Sequence, residues 1–200
     1  MKVVLIIFFS AFIVFVSAVS LDLNNSKNNF NINGDFQLTS KTRTQIKSQE
    51  YTKLEVKDCV NSGNGGEAEL PVFSKLVSLP ATGNFKISSA EYDFTEMPLE
   101  NDVIPVGWQD DININDSYYS QNKWLPEEII TIGKPNIMRS HRFVQVTVAA
   151  VQYNPALKKI RILNDVDIDF NLDESVNENP LTKIKPSRVF DNIAKQKIIG

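Results

Sequence analysis

The distribution of apolar and polar residues is the most informative feature of the second half of the chain. One run alternates four apolar residues with four polar ones, namely Val166, Ile168, Phe170 and Leu172 against Asp165, Asp167, Asp169 and Asn171. Successive side chains of a β-strand point to opposite faces. A period of two therefore predicts a strand with one buried face and one solvated face.

A second pattern predicts a β-hairpin directly before this run. Residues 143–152 are rich in valine, and residues 159–163 return with alternating apolar positions. Between them, Asn154 and Pro155 favour a turn, because proline fixes φ and asparagine tolerates unusual backbone angles. We expect the two segments to lie side by side as strands. We also expect four buried side chains: Val148, Ile160, Ile168 and Phe170.

The strand pattern extends upstream. Residues 70–79 and 84–94 are rich in β-branched and aromatic residues, and residues 61–66 and 80–83 contain the Gly, Pro, Asn and Ser of turns. Strands that recur about every ten residues, with little helical periodicity, favour an all-β fold. The predicted domain is an antiparallel β-sandwich, similar to a jelly roll, over residues 51–172.

The N-terminal 50 residues have a different composition. Lys2, the apolar residues 3–16 and the small residues around Ala18 are typical of a secretory signal peptide. We therefore expect residues 1–18 to be removed and the protein to be secreted, either extracellular or at the cell surface. Residues 19–50 are rich in Asn, Ser, Thr and Lys and offer little apolar area to bury, so we expect a flexible lead-in.

The last segment, residues 173–200, is predicted to be a linker followed by a short helix. Ser187 is a suitable N-cap, and Gly200 is the residue type that often follows a helix C-terminus. One helix face would be apolar. That face contains Val189, Phe190 and Ile193.

Charge and cysteine content narrow the possible functions. The net charge is −3 and no nucleic-acid-binding motif is present, so we expect no nucleic-acid partner. We also expect no membrane association after removal of the signal peptide. Cys59 is the only cysteine, so the fold has no intrachain disulfide and depends on burial for its stability.

Two possible catalytic or metal sites have simpler explanations. Cys59 and His141 are the only pair that could form a thiol-protease dyad. Cys59 has no helix start or Gly-rich turn that would lower its thiol pKa, so we interpret it as a small buried hydrophobic residue. The series Asp165, Asp167 and Asp169 lacks the Gly and Glu of a calcium loop and is interpreted as a solvated strand face. We expect no catalytic residue, no metal and no cofactor.

One interval has an unusual charge distribution. Between Lys86 and Lys123 there is no Lys or Arg, whereas eight acidic residues are interleaved with aromatic ones. A solvated acidic loop is one interpretation. The other is a contact surface, because exposed Trp and Tyr are enriched at interfaces. On the second interpretation, residues 102–121 form a partner-contacting loop with candidate contacts Trp108, Asp110, Asp111, Tyr118 and Tyr119.

Several motifs in the chain resemble the pro-regions of gingipain-type cysteine endopeptidases. They are Lys123-Trp-Leu-Pro-Glu-Glu-Ile129, Gln152-Tyr-Asn-Pro155 with its flanking strands, Val189-Phe-Asp-Asn-Ile193 and, less specifically, Gly66-Glu-Ala-Glu-Leu-Pro71. The resemblance covers about residues 56–200. It implies a non-catalytic β-sandwich prodomain whose partner is a cysteine endopeptidase catalytic domain. The prodomain would assist folding of that domain and keep it latent, in cis or as a cleaved non-covalent complex.

The resemblance also suggests how the loop would act. In Arg-specific members of this family, a basic residue on a prodomain loop occupies the substrate pocket, but the matching interval here has no Lys or Arg. The loop would therefore either cover the protease cleft, which we favour, or fill the specificity pocket with an acidic or aromatic residue. Residues 173–200 would lead towards a catalytic domain that this sequence does not contain. From the residues alone, the alternative is a stand-alone secreted β-sandwich for adhesion or carbohydrate binding.

Overall fold

The computed structural model describes residues 18–23, 29–110 and 113–200. The predicted signal peptide up to residue 17 lies outside this description. Within the described ranges the strands are β1 (Ser20–Leu23), β2 (Asn29–Gly34), β3 (Leu38–Ile46), β4 (Gln49–Val56), β5 (Val60–Ser62), β6 (Leu70–Leu79), β7 (Asn84–Pro98), β8 (Ile130–Ile132), β9 (Asn136–Met138), β10 (His141–Ala149), β11 (Val151–Asn154), β12 (Lys159–Asp173) and β13 (Ile198–Ile199). The helices are a 3-10 turn at Trp108–Asp110, α1 (Asp116–Tyr119) and α2 (Arg188–Lys197).

The strands form two larger sheets and a hairpin. In the first sheet β12 is central, with β7 along one edge and β2 and β11 along the other, and β1 extends the sheet beyond β2. The second sheet has the order β13-β6-β10-β8, with β5 also paired to β6 and β9 to β10. Strands β3 and β4 form a two-stranded hairpin. All these pairings are antiparallel except that of β13 with β6, which confirms the predicted class of fold.

Alternation along β12 positions its side chains as predicted. Ile160, Ile168 and Phe170 are completely buried, and so is Val148 on β10. They belong to one continuous apolar core to which both sheets contribute. The predicted segments on either side of Asn164 form one long strand, interrupted by a bulge at which Asp165 has a φ of +49°.

The predicted hairpin is only partly correct. Residues 143–152 are not one strand, because the chain passes from the second sheet to the first at Ala150. The N–H of this residue donates to the carbonyl oxygen of Pro71 over 3.2 Å, and its own carbonyl accepts from the N–H of Leu163 over 3.1 Å. Only β11, after the crossing, pairs with β12 as predicted. Sequence alternation does not reveal the crossing, because the residues on both sides of it are buried.

The prediction of a flexible lead-in over residues 19–50 is wrong for the described residues. β1, β2 and β3 all lie in this segment, and β2 pairs with β12 over six residue pairs. Phe30 and Ile32 are buried, and the ring of Phe30 stacks on that of Phe170 with centroids 4.3 Å apart. Burial of these apolar side chains, together with strand pairing to β12, stabilises a segment whose average composition is polar.

The terminal helix is present, but its predicted details differ. Ser187 occupies the N-cap position without a side-chain capping bond, and Gly200 does not follow the helix directly because β13 intervenes. Val189 and Ile193 are 66% and 41% exposed, and Ala194 is the helix residue that is buried. The predicted apolar face therefore points mainly to solvent. Among the described residues, no helix has the length and apolar character needed to cross a membrane.

Candidate functional site

The acidic interval forms a loop with a rigid lower part, residues 102–106, which we call the loop base. It lies between two backbone segments and bonds to both. The backbone N–H of Thr52 in β4 donates to the carbonyl oxygen of Asp102 over 2.7 Å. The carbonyl oxygen of Thr52 accepts from the N–H of Ile104 over 2.9 Å. On the opposite side, the backbone N–H of Glu69 donates to the carbonyl oxygen of Ile104 over 2.8 Å. The loop base is thus held like a short strand inside the fold.

Gly66 closes the neck above the loop base. Its N–H donates to the carbonyl oxygen of Val106 over 3.1 Å, and its carbonyl accepts from the N–H of Asn115 over 2.9 Å. The eight residues 107–114 between these two anchors form the loop tip. Gly66 has a φ of +80°, and a Cβ there would lie 2.4 Å from the carbonyl oxygen of Asn113. Glycine is required here both for its backbone angle and for the close approach.

Trp108 is the aromatic residue of the loop tip. Gly107 turns the chain with a φ of +79°, and Trp108 then begins the 3-10 turn. Its half-buried side chain contributes to two concave surfaces of about 630 Å³ and 410 Å³. The larger lies against the turn of the β3–β4 hairpin, and its apolar lining also includes Ile46, Tyr51, Pro105 and Ile114. The smaller is lined mainly by polar residues, among them Lys53, Asn61 and Glu69.

The five predicted contact residues have different environments. Trp108 lies on the loop tip, whereas Asp111 and the side chain of Asp110 lie outside the described residues. Tyr118 and Tyr119 point into the domain: Tyr118 is buried, and the hydroxyl of Tyr119 donates to the carbonyl oxygen of Val103 over 2.7 Å. Burial raises the pKa of both phenols. These two tyrosines support the loop base from inside the domain and do not offer an exposed contact.

The negative charge of the interval is partly neutralised in the folded chain. Asp102 accepts a hydrogen bond from the hydroxyl of Tyr153 and lies 3.6 Å from the ammonium group of Lys158. Two other acids pair with cations from distant parts of the sequence, Glu96 with Lys159 and Glu100 with Arg43. Although the interval itself contains no Lys or Arg, cationic side chains from other parts of the chain lie next to it in the fold. These ion pairs cannot be predicted from the order of residues along the chain.

Cys59 and His141 do not form a dyad. Cys59 precedes Val60, which pairs with Val72 near the start of β6, whereas His141 precedes Arg142, which pairs with Leu79 at its end. Seven residues of strand separate these positions by about 23 Å. Burial, reinforced by Asp58, raises the pKa of the Cys59 thiol to about 12. The ring of His141 instead lies 2.8 Å from a carboxylate oxygen of Asp191 in α2.

The aspartates of β12 are engaged by neighbouring side chains. The amide of Asn31 donates to Asp167 over 2.6 Å and to Asp169 over 2.9 Å. Hydrogen bonds from Asn31 and Ser89 lower the pKa of the Asp169 carboxyl. In the described part of the chain no group of three or more His, Cys, Asp or Glu side chains could hold a metal ion. This arrangement matches a hydrogen-bonded outer strand face.

Sequence reasoning missed the residues that hold the loop. Thr52, Gly66 and Glu69 lie 33 residues or more before Asp102, the first residue of the loop base, and their backbone groups make the contacts. In the sequence, the Gly65-Gly66 pair predicts only a turn. A glycine pair next to a short alternating segment is a weak signal of close backbone approach, and nothing in the sequence indicates which segment approaches.

Comparisons with known proteins agree on one family. The family model described as Propeptide_C25 matches residues 24–200. Gingipain R1 of Porphyromonas gingivalis is 28% identical over 148 residues, covering 70% of this chain and 15% of its own length. Gingipain R2 of the same organism is 26% identical over 145 residues, covering 68% of this chain and 20% of its own length. The chain thus spans a fifth or less of these two relatives.

Two solved structures share the fold. The first, described as the complex of Porphyromonas gingivalis RgpB pro- and mature domains, aligns with a TM-score of 0.74 and 21% identity over 90% of this chain and 96% of the matched chain. The second concerns the zymogenic latency of gingipain K from Porphyromonas gingivalis. It aligns with a TM-score of 0.68 and 18% identity over 80% of this chain and 95% of the matched chain.

Proposed function

The chain belongs to the Propeptide_C25 family, and on that premise we propose that it keeps the catalytic domain of a gingipain-type cysteine endopeptidase latent and assists its folding. Membership of a propeptide family makes the chain a non-catalytic pro-region. Its secretion through residues 1–18 is part of the proposal. Family membership also favours this function over a stand-alone adhesion or carbohydrate-binding module.

One observation supports the loop tip as the element that contacts the protease. The loop tip begins and ends at a neck where Gly66 bonds to both Val106 and Asn115, while the loop base below is bonded on both edges. A loop that is fixed at its base loses little conformational entropy when it binds. Trp108 gives the tip a large aromatic side chain of the kind that dominates interface energetics.

The proposed mechanism is that the loop tip covers the protease cleft. Its apolar concave surface of about 630 Å³ against the β3–β4 turn is suited to a side chain of the protease. Asp110 and Asp111 would then contribute solubility more than affinity. The competing mechanism, in which one of these carboxylates fills the specificity pocket, would require a positively charged pocket.

The test is inhibition of the cognate catalytic domain by the purified chain. Deleting all of residues 102–121 would remove buried Val103, Ile104 and Tyr118 and unfold the domain. A sharper variant replaces only residues 107–114 with a short Gly linker from Val106 to Asn115, since both of these residues bond to Gly66. We expect this variant to fold normally and to lose inhibition. Unchanged inhibition would exclude the loop tip as the contacting element.

Folding assistance needs a separate measurement. The denatured catalytic domain is refolded alone and with an excess of the chain, and the recovered peptidase activity is compared after the chain has been removed. We expect higher recovery with the wild-type chain and with the loop-tip replacement, because folding assistance would use the wider surface of the sandwich. Equal recovery with and without the chain would leave latency as its only function.

A further inference from the structure

A short exposed segment connects the sandwich to the terminal helix. Residues 182–186 have no regular secondary structure, and all five are exposed. Within the described ranges they make no hydrogen bond or ion pair. We infer that the bond between Lys183 and Ile184 is a processing site for an endopeptidase that cleaves after lysine, and that the cut leaves α2 and β13 docked on the sandwich.

Hydrogen bonds attach the chain to the sandwich just before this segment. The buried guanidinium of Arg142 donates three hydrogen bonds to backbone carbonyls: Nη1 to Pro80 over 2.9 Å, Nη2 to Glu178 over 2.8 Å and Nε to Asn179 over 2.9 Å. The N–H of Leu181 then donates to Ala81 over 2.8 Å. Because Arg142 is only 2% exposed, residues 178–181 are held against the end of β6.

After the segment, contacts of α2 and β13 attach the chain to the sandwich again. In α2, Asp191 lies 2.8 Å from the His141 ring, and the Phe190 ring lies 5.3 Å from the Arg139 guanidinium. Ala194 is 4% exposed. Beyond the helix, Ile198 and Ile199 pair in parallel with β6. These contacts do not require an intact chain between Leu181 and Ser187.

A protease binds its substrate as an extended, accessible stretch, so cleavage in a folded domain occurs where little structure must open. Residues 182–186 meet this condition because no backbone hydrogen bond has to break. The two-residue turn of the β3–β4 hairpin also exposes a lysine, Lys47, but it is bounded by paired strands. Cleavage there would first require the hairpin to open.

Three basic residues lie in or next to the exposed segment, and their neighbours single out one of them. Lys185 is followed by Pro186, which has no backbone N–H and a rigid ring at the bond to be cut. Arg188 is the first residue of α2, so its bond to Val189 lies in the helix. Lys183 is followed by Ile184, which is 73% exposed. One water molecule hydrolyses this amide and yields the Lys183 carboxylate and the Ile184 ammonium group.

The consequence rests on the proposed function. A cut at Lys183 severs the covalent link between the sandwich and everything that follows it, while α2 and β13 stay bound through their own contacts. These contacts are few, and Val189 and Ile193 face solvent, so the docked segment should dissociate on dilution. Separation of the sandwich would then proceed in two steps, hydrolysis followed by concentration-dependent release.

The experiment is limited digestion of the purified chain with a lysine-specific endopeptidase, followed by intact-mass measurement. We expect the first cut after Lys183. Lys183→Gln should slow the first cut within residues 29–200 about tenfold or more, because cleavage in the strands, helix and hydrogen-bonded turns of this range requires local opening. Lys195→Gln, which changes an exposed lysine within α2, is the matched control and should leave the rate unchanged. A first cut at any other residue of this range would overturn the inference.

Docking is tested on the nicked product by size-exclusion chromatography. Residues 184–200 should elute with the sandwich at high concentration and separate on dilution. Asp191→Ala, which removes the carboxylate partner of His141, should cause separation at higher concentration than in the wild-type chain. Immediate loss of the segment at every concentration would refute the docking. Neither measurement includes the cognate catalytic domain. A negative result in either one therefore does not affect the inhibition assay that tests the proposed function.

Discussion

Tyr153 donates its hydroxyl hydrogen to Oδ1 of Asp102 across 2.7 Å, and this bond joins β11 to the loop base. The Tyr153 ring is completely buried. Burial raises the pKa of its phenol, and the hydrogen bond to Asp102 raises it further. The phenol therefore remains a neutral donor under ordinary conditions. The position of the loop thus depends on a polar contact between residues 51 positions apart.

Tyr153→Phe should destabilise the domain by about 1.5–3 kcal/mol, because it removes a hydrogen bond to a charged acceptor and leaves Asp102 with Lys158 as its remaining side-chain partner. Urea unfolding followed by circular dichroism measures the change. Tyr92→Phe on β7 removes a hydroxyl from a partly exposed ring and should cost less than about 0.5 kcal/mol. An equal decrease in the free energy of unfolding in the two variants would show that the buried hydrogen bond does not stabilise the domain.

Gly66→Ala should displace the loop tip. The new Cβ would meet the carbonyl oxygen of Asn113 at 2.4 Å in a backbone conformation that disfavours alanine. We expect the chain to remain folded and its inhibition of the cognate catalytic domain to weaken about tenfold or more, equivalent to roughly 1.4 kcal/mol. Gly133→Ala is the control, since its nearest contact is a looser 3.3 Å. A fully inhibitory Gly66→Ala chain would show that the neck does not determine function.

Trp108→Ala should weaken inhibition about tenfold or more if the loop tip covers the cleft, because a central aromatic contact is lost. The paired change Asp110→Ala with Asp111→Ala should then have little effect. Ile87→Ala alters an exposed apolar residue on β7, outside the loop, and serves as the control. The reverse pattern, with the double aspartate variant losing tenfold and Trp108→Ala none, would support pocket filling.

The Cys59 thiol should react slowly in the folded chain. Its pKa of about 12, compared with 9.0 for an ordinary thiol, lowers the thiolate fraction at neutral pH about a thousandfold. Alkylation by iodoacetamide should be at least about a hundredfold slower than in the urea-unfolded chain. Cys59→Ala should leave peptidase assays at background and folding nearly unchanged, apart from a small cavity.

The same pKa shift has a consequence at alkaline pH. Below about pH 9 the thiol is neutral in both states. As the pH rises from 9 towards 12, the unfolded chain loses this proton first, so the free energy of unfolding decreases. Cys59→Ala lacks this contribution, and its stability relative to the wild-type chain should improve over that range. A difference that stays constant with pH would mean that the thiol titrates equally in both states.

The sequence by itself determined the class of fold and much of its burial pattern. A period of two along β12 fixed which residues face the core, because adjacent side chains of a strand necessarily point to opposite faces. The strand predicted over residues 70–79 has the bounds of β6, since turn residues mark its C-terminal end. The family resemblance also came from local motifs.

Tertiary structure alone decided the rest. Phe30 and Ile32 became core residues because a distant strand, β12, offers them an edge and a stacking partner. Ala150 marks a change of sheet because its N–H and carbonyl bond to different sheets. Within the acidic interval, the sequence did not distinguish Trp108, which lies on the loop tip, from Tyr118 and Tyr119, which point into the domain. Composition and periodicity describe neighbours along the chain, but the burial of a loop residue is set by backbone segments that reach it from elsewhere.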